Sequence, residues 1–393
     1  MSTANSAQST HALSSPSSRL GSFDRSTVLR PLACSLTLGL FFLSHAFAAE
    51  AMTEAQAIAQ IERLGGRVYD YAPRDRSRPP RVASRWRSNR GRPAQPTAEL
   101  LDERFGDEQL RLLRYLPSLE RVVLNPRTVS DVGIHELRQL PHLKSVGFRG
   151  GFGPPIDGMT DAGLQDLTGI KTLTDVEVPG RKVTERGAAH LPALKNLESL
   201  GLSGHGINNA AIAHLSSLTK LKVLSLADTT ITDDGLKALE PLGALTHLTL
   251  HSEKLSDGAL AHLRGLNQLT SLGINGGGIK GATLGDLTDL PKLRWLSLSY
   301  TSVDDAGLRQ LSHLAQVIHI DLSHTRITDA GLRVLTALPN LEHLNIGSTA
   351  VTDAGLEALK PIKTLREVAA SDAMTTEAIR KFSRETGVNF PGS

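Results

Sequence analysis

The chain has 393 residues, of which 40% are hydrophobic and only 4% aromatic, so its core is expected to consist mainly of aliphatic side chains. Its one cysteine, Cys34, excludes a disulfide within the chain. The formal net charge of +3 is small and unevenly distributed. This excludes a basic surface over the whole molecule of the kind that binds nucleic acid without sequence preference.

The N-terminus has the order of segments found in secretory signal peptides. Three arginines precede the apolar stretch 32–49, which runs to the small-residue sequence AFA at 46–48. We therefore predict that residues 1–48 are a Ser-rich leader plus a signal peptide, and that the protein is exported to the periplasm, the cell envelope or the medium. An uncleaved membrane anchor is the alternative, because about 18 residues are just enough to span a bilayer. After cleavage no membrane span would remain.

Two short segments separate this leader from the rest of the chain. Residues 49–71 contain a helical pattern, a Gly-Gly stop and a strand pattern, which predicts an N-terminal helix-strand cap. Residues 72–97 are rich in Arg and Pro, which predicts a flexible linker. Its arginines could bind a polyanion or an anionic membrane surface, but a solvated linker is the preferred interpretation. They are Arg74, Arg76, Arg78, Arg81, Arg85, Arg87, Arg90 and Arg92.

A repeat occupies residues 98–364. After a partial unit with only a helical half, ten units follow with the shared pattern LxxLxLxxTxITDxGLxxLxxLxx, nine of them 24 residues long and the second 30. The units begin at Leu119, Leu143, Leu173, Leu197, Leu221, Leu245, Leu269, Leu293, Val317 and Leu341. A period of this length indicates a solenoid whose neighbouring units bury each other's apolar stripes. Residues 365–393 are predicted to form a C-terminal strand-helix cap.

The T-D-x-G-L phrase within each unit predicts the start of a short helix. A Ser, Thr, Asn or Asp at the twelfth position can accept a free N–H of the first turn, and the Asp that follows faces the positive end of the helix. Glycine at the fifteenth position, as at Gly331 and Gly355, is expected to let helix and sheet approach closely. The preceding LxxLxL segment alternates as a half-buried strand does.

These units are similar to the leucine-rich repeat family, especially to bacterial exported members with T-D-x-G-L units, over about residues 98–370. The resemblance implies an α/β fold, a curved solenoid with a parallel concave sheet and short convex helices, capped at both ends. It also implies a non-enzymatic protein that binds other proteins. Many family members carry Asn where this chain has Thr229, Thr301, Thr325 and Thr349. Because Thr replaces the amide less completely, the hydrogen-bond ladder between units is expected to be weaker.

Strand residues that do not face the core are expected to face the concave surface, where the third positions of successive units form a column. In the C-terminal half this column and its neighbours are rich in Trp, Tyr and His, which provide large contact area with a polar tip. The candidate binding residues are His247, His251, Trp295, Tyr300, His319, Asp321, His324, His343 and Asn345. A solvated sheet face with chance histidines is the competing interpretation.

Other functions have less support in the sequence. His319, Asp321 and His343 are chemically suitable for a metal, but we expect neither a metal nor another cofactor, and no convincing catalytic set is present. A protein partner is expected, a glycan or anionic surface is a second possibility, and no specific nucleic acid is implied. The alternative function is that of a secreted effector acting in a host cell, because related repeats accompany ubiquitin-ligase adaptor segments. Residues 50–118 contain no adaptor motif that we recognise.

The export prediction can be tested by N-terminal sequencing of the protein recovered from outside the cytoplasm. Cleavage by signal peptidase is expected close to Ala48, because small residues end the apolar segment there. An intact Ser-rich N-terminus on the exported protein would contradict cleavage and favour the effector interpretation.

Overall fold

The computed structural model describes residues 52–70, 95–149, 158–180 and 182–391. The predicted signal peptide and most of the Arg-rich linker therefore lie outside the described residues. The chain divides into two units, residues 1–51 and 52–393, and everything described belongs to the second. Within the described ranges, no helix is both long enough and apolar enough to cross a membrane.

The strands of the described residues form one open sheet of 13 strands, arranged in the order of the sequence. Strands β2 to β13 pair in parallel with their neighbours, whereas β1 pairs antiparallel with β2. They are β1 Arg67–Tyr69, β2 Thr97–Leu100, β3 Arg121–Leu124, β4 Ser145–Phe148, β5 Asp175–Val178, β6 Ser199–Ser203, β7 Val223–Ala227, β8 His247–His251, β9 Ser271–Asn275, β10 Trp295–Ser297, β11 His319–Asp321, β12 His343–Asn345 and β13 Glu367–Ala369.

Short helices follow most strands and cover one face of the sheet. The α-helices are α1 Glu54–Arg63, α2 Asp107–Leu110, α3 Asp131–Glu136, α4 Asp161–Thr168, α5 Glu185–Ala188, α6 Asn209–Ala213, α7 Asp233–Leu236, α8 Asp305–Leu308, α9 Asp329–Leu332, α10 Asp353–Leu359 and α11 Thr376–Thr386. Segments of 3-10 helix lie at Arg111–Tyr115, Leu137–Gln139, Leu191–Ala193, His214–Ser217, Lys237–Leu239, Asp257–Leu263, Leu284–Asp289, Arg309–His313 and Arg333–Ala337.

The repeat leucines form one continuous aliphatic core. In the unit from Leu221, the strand residues Leu224 and Leu226 and the helix residues Leu236 and Leu239 are all at most 1% exposed. Removing such a side chain from water contributes about 1.5–3 kcal/mol, but only when the adjacent unit covers it. The predicted leucine-rich repeat solenoid is confirmed, with the sheet on one side of this core and the short helices on the other.

A ladder of hydrogen bonds links the helix starts of most neighbouring units. Oδ1 of Asp305 accepts the backbone N–H of Thr328 at 2.8 Å, and Oδ2 accepts the Thr328 hydroxyl at 2.6 Å. The same contact joins Asp107 to Ser130, Asp131 to Thr160, Asp161 to Thr184, Asp233 to Ser256, Asp329 to Thr352 and Asp353 to Thr375. The Asp column thus bonds the neighbouring unit, a role that sequence reasoning missed.

The ladder also influences the capping of the helices whose first residue is preceded by Ser or Thr. Because the Thr328 hydroxyl donates its proton to Asp305, its lone pair is free to accept the N–H of Ala330. In the one unit with Asn209 instead of Asp, the amide donates to the Thr232 hydroxyl, and Thr232 makes no cap bond. The sequence predicts nine such caps, at the twelfth position of every unit except the one with Lys280. The other eight are confirmed. The prediction for Thr232 is wrong, because the amide reverses the direction of that hydrogen bond.

Glycine at the fifteenth position makes room for this ladder. A Cβ placed on Gly355 would lie 2.6 Å from Oδ1 of Asp329, and one on Gly331 would overlap Oδ1 of Asp305. The close approach is therefore between consecutive helix starts. The expectation that these glycines bring helix and sheet together is corrected accordingly.

The Thr column differs from the expected ladder. The hydroxyls of Thr301, Thr325 and Thr349 donate to carbonyls three residues earlier in their own units, at 2.5–2.6 Å. Only the Thr229 hydroxyl reaches a carbonyl of the following unit, that of His251, at 3.2 Å. Thr therefore closes its own turn, and the Asp-hydroxyl ladder makes the contact between units.

Both ends of the solenoid carry additional elements. At the N-terminus α1 begins in a capping box at Thr53, and β1 pairs with β2. The prediction that the partial unit lacks its strand is wrong, because β2 pairs in parallel with β3 at Thr97↔Arg121. At the C-terminus α11 packs Phe382 edge-to-face on Phe390, and Asn389 forms a bridge to Glu367 of β13.

The ladder predicts different costs for two substitutions of Asp305. Asp305→Ala leaves the N–H and hydroxyl of Thr328 without partners and should lower the free energy of unfolding by about 2 kcal/mol. Asp305→Asn keeps the N–H bond but removes the cap and should cost about 1 kcal/mol or less. Urea unfolding measures both. Asp234→Ala is the control, since Asp234 is exposed and bonds only Lys237; equal losses in all three variants would contradict the ladder.

Candidate functional site on the concave face

The sheet face opposite the helices, here called the concave face, carries the third and fifth residues of each unit. The strand registers place Trp295 opposite His319, and His319 opposite His343, as the column predicted. The fifth positions Asp321 and Asn345 are likewise paired on β11 and β12. Nearer the N-terminus of the sheet, His247 of β8 is opposite Ser271 of β9.

The strand group consists of Trp295, His319 and His343. The two imidazole rings stack with centroids 4.1 Å apart and planes 10° apart. Trp295 is 38% exposed and leans over the preceding strand, where a Cβ on Gly273 would lie 3.4 Å from its Cζ3. Because Gly273 has no side chain, the indole can lie over that strand, and the three rings of the strand group occupy adjacent strands.

The loop group consists of Tyr300 and His324, each three residues beyond the end of its strand. Their rings also stack, with centroids 4.1 Å apart and planes 14° apart. Tyr300 is 62% exposed. Both residues have positive φ, 57° and 55°. The described structure therefore brings the predicted aromatic residues together in three adjacent units as two stacked pairs, with Trp295 on the strand next to His319.

Asp321 and Asn345 hold the loops that follow their strands. Oδ1 of Asp321 accepts the N–H and the hydroxyl of Ser323 at 2.9 and 2.7 Å, and Oδ1 of Asn345 accepts the N–H of Gly347 at 3.0 Å. These oxygens are already engaged in turns. They position the loop group, which adds a structural reason for their presence to the predicted binding role.

The alternative of a metal site at His319, Asp321 and His343 is contradicted. The two imidazoles lie face to face instead of directing ring nitrogens at a common point. Within the described residues, no three His, Cys, Asp or Glu side chains are arranged to hold a metal ion. Stacking removes the lone-pair convergence that coordination needs.

Sequence reasoning missed the acidic partners of two histidines, His251 and His343. His251 is the last residue of strand β8, and its Nδ1 is 2.8 Å from Oδ1 of Asp228 in the preceding unit. Its Nε2 is 4.0 Å from Oε1 of Glu253. His343 Nδ1 lies 3.7 Å from Oε2 of Glu367 on β13. Alignment of the variable positions of neighbouring units was the signal that could have shown these pairs.

His319 titrates in an unusual environment. Partial burial, and then the neighbouring His343, hold the pKa of His319 below its ordinary value of 6.5, while Glu342 and Glu367 oppose the shift. A lowered pKa means that folding favours the neutral ring. Its contribution to stability is fully present above the unfolded pKa and is lost as the pH falls through the folded pKa.

The predicted polyanion residues of the linker lie outside the described residues, so that hypothesis stays a prediction.

Comparison of the sequence with models of known protein families indicates which class of protein has this geometry. The model described as "Leucine Rich repeat" matches residues 217–239, 317–335 and 337–360. With the repeat geometry, this identifies the chain as a leucine-rich repeat protein. No curated protein sequence matches the chain significantly.

Solved structures with a similar fold come from several proteins. An internalin (InlF) from Listeria monocytogenes is 24% identical with a TM-score of 0.49, covering 67% of this chain and 70% of its own. Internalin C2 of the same organism is 23% identical with a TM-score of 0.40, covering 57% and 87%. TLR13 in complex with ssRNA13 is 18% identical with a TM-score of 0.45, covering 67% and 41%.

The stacked histidines predict a change in titration on substitution. His343→Gln should raise the pKa of His319 in the folded protein, because it removes a like charge from the protonated state. NMR titration of the His319 ring resonances measures this. His247→Gln, on a strand three removed from β11, should leave the pKa unchanged. An unchanged or lower pKa in His343→Gln would show that the neighbouring ring does not influence His319.

Proposed function

We propose that this leucine-rich repeat protein is an exported, non-enzymatic binding protein whose concave face contacts a protein partner through the units from Leu293, Val317 and Leu341. One observation carries the proposal. Among the described residues, the exposed large hydrophobic side chains are Val132, Trp295 and Tyr300, and two of these three lie in the same unit. Exposed aromatic groups of this kind are enriched at the energetic centres of protein interfaces.

The surroundings of these side chains support the same proposal. Trp295 lies on the sheet and Tyr300 at its loop edge, so a partner on the concave face could contact both. Tyr300 stacks on His324, and His319 stacks on His343, so these rings are already held in place and lose less conformational entropy on binding. Oδ1 of Asp321 and Oδ1 of Asn345 already accept hydrogen bonds from the loops. Partner binding would therefore not leave these oxygens without a hydrogen-bond partner.

A glycan partner is the second candidate, because the exposed face of Tyr300 could also stack on a sugar ring. Export rests on the predicted signal peptide, and the effector and polyanion alternatives rest on segments outside the described residues. A concave interface for a folded protein is preferred because the strand group extends over three adjacent units, from Trp295 to His343.

Affinity capture on the immobilised full chain tests the proposal. Trp295→Ala and His319→Ala should each reduce recovery of the partner from an extract of the cell envelope or medium by about tenfold, the scale of an interface hot spot. Val132→Ala is the control, since it removes an exposed hydrophobic side chain from helix α3, away from the strand group. If wild type, Trp295→Ala and His319→Ala all recover the partner equally, the strand group is not part of the interface.

A further inference from the structure

Tyr300 occupies a backbone position at which other units of the same chain use glycine. The eighth residues of the units have positive φ at Gly180, Gly204, Asp228, Gly276, Tyr300, His324 and Ser348. Glycine adopts this conformation freely, whereas a residue with a Cβ is strained in it. A bulky, exposed aromatic ring at such a position contributes little to the core. Its presence indicates a role in contacting something outside the chain.

The two faces of the Tyr300 ring have different neighbours. One face stacks on His324 of the following unit at about the spacing between units. The ring plane therefore lies across the solenoid axis, and the other face is directed toward the preceding unit. There the equivalent residue is Gly276, whose N–H donates to the Tyr300 carbonyl at 3.0 Å. Gly276 itself has no side chain that could cover the second face of the ring, and Tyr300 is 62% exposed.

A carboxylate borders the far side of this gap. A Cβ on Gly276 would lie 3.0 Å from Oε1 of Glu253 and 3.2 Å from Cδ2 of His251, so both side chains border the position that a Gly276 side chain would occupy. Oε2 of Glu253 accepts the N–H of Gly277 at 3.2 Å, which fixes the carboxylate. We call this space the rim slot: its floor is Gly276 and Gly277, and its walls are Tyr300 on one side and Glu253 with His251 on the other.

The charges around the rim slot select its occupant. Glu253 is negatively charged and 82% exposed at its side chain, and Asp228 lies beyond it, paired with Nδ1 of His251. A flat cation could stack on the exposed face of Tyr300 and donate to Oε1 of Glu253, the oxygen that Gly277 does not use and that lies 4.0 Å from Nε2 of His251. A guanidinium combines planarity, charge and paired donors, whereas an ammonium is compact and a sugar is neutral.

We propose that the rim slot binds the guanidinium of an arginine side chain on the protein partner, stacked on Tyr300 and paired with Glu253. This inference rests on the proposed function of the concave face and specifies the chemistry of one contact at its edge. The slot lies in the units from Leu245, Leu269 and Leu293, so it extends the contact surface from Trp295 toward the middle of the solenoid.

NMR titration of the full chain with N-acetyl-arginine methylamide tests the proposal. The chain has four tyrosines, so ring labelling gives few signals, and Tyr300→Phe assigns the relevant one. The arginine probe should shift the Tyr300 ring and the amides of Gly276 and Gly277 with a Kd of about 1–10 mM, a weak single contact. N-acetyl-lysine methylamide and methyl glucoside should bind at least about threefold more weakly.

Substitutions separate the two parts of the contact, with the Gly277 amide as the common readout. Glu253→Gln should weaken the arginine probe about threefold, and Tyr300→Phe should retain binding, because the ring face remains. Tyr300→Gly should abolish binding while raising the melting temperature, since glycine suits the positive φ. A binding loss in this variant therefore cannot be caused by unfolding. Lys254→Gln, beside Glu253 in sequence, should not weaken binding.

Three results would overturn the inference: no shift of Gly277 with the arginine probe at tens of mM, equal or tighter binding of the lysine probe or the glucoside, or unchanged binding by Tyr300→Gly. Tighter binding of the glucoside would assign the slot to a glycan. If partner capture still depends on Trp295 while the arginine probe fails, only the rim slot is wrong. If capture does not depend on Trp295 but the probe binds, the proposed interface is wrong and the slot stands as a local site.

Discussion

Burial of each unit's leucines by the next unit is the constraint on which the rest of the structure depends. A 24-residue unit has one apolar edge of a strand and one apolar stripe of a short helix, and it cannot cover both alone. The core residues are almost fully buried only because the units stack in register. The parallel sheet follows from this stacking, and so do the columns of exposed side chains on the concave face.

The Asp-hydroxyl ladder fixes the register at the helix side. Each Asp lies in the first turn of one unit and satisfies both the N–H and the hydroxyl of the next cap, as Asp329 does for Thr352. The contact also explains the glycine column, since a side chain at Gly355 would displace the carboxylate. Where the phrase changes, at Lys280 and Gly281, Asp257 bonds two backbone N–H groups instead, and the helix is replaced by a 3-10 segment.

Strain and exposure occur together on the concave side. Tyr300 and His324 hold positive φ, stack on each other and remain accessible, although neither contributes to the leucine core. Nearby, burial and the neighbouring ring lower the pKa of His319. These features fall in the variable positions of the repeat, where the folding requirement is weakest. The same framework can therefore present different chemistry in each unit without loss of register.

The sequence by itself determined the repeat, the fold class, the side-chain caps at eight of nine positions and the columns of the sheet, because all of these follow from spacing along the chain. It also predicted which residue types face outward. Only the tertiary structure decided that Asp bonds the neighbouring cap, that β2 completes the partial unit, and that His319 and His343 stack rather than bind metal. These contacts join residues about one unit apart, and their geometry depends on side-chain rotamers and backbone twist, which the pattern of residue types does not contain.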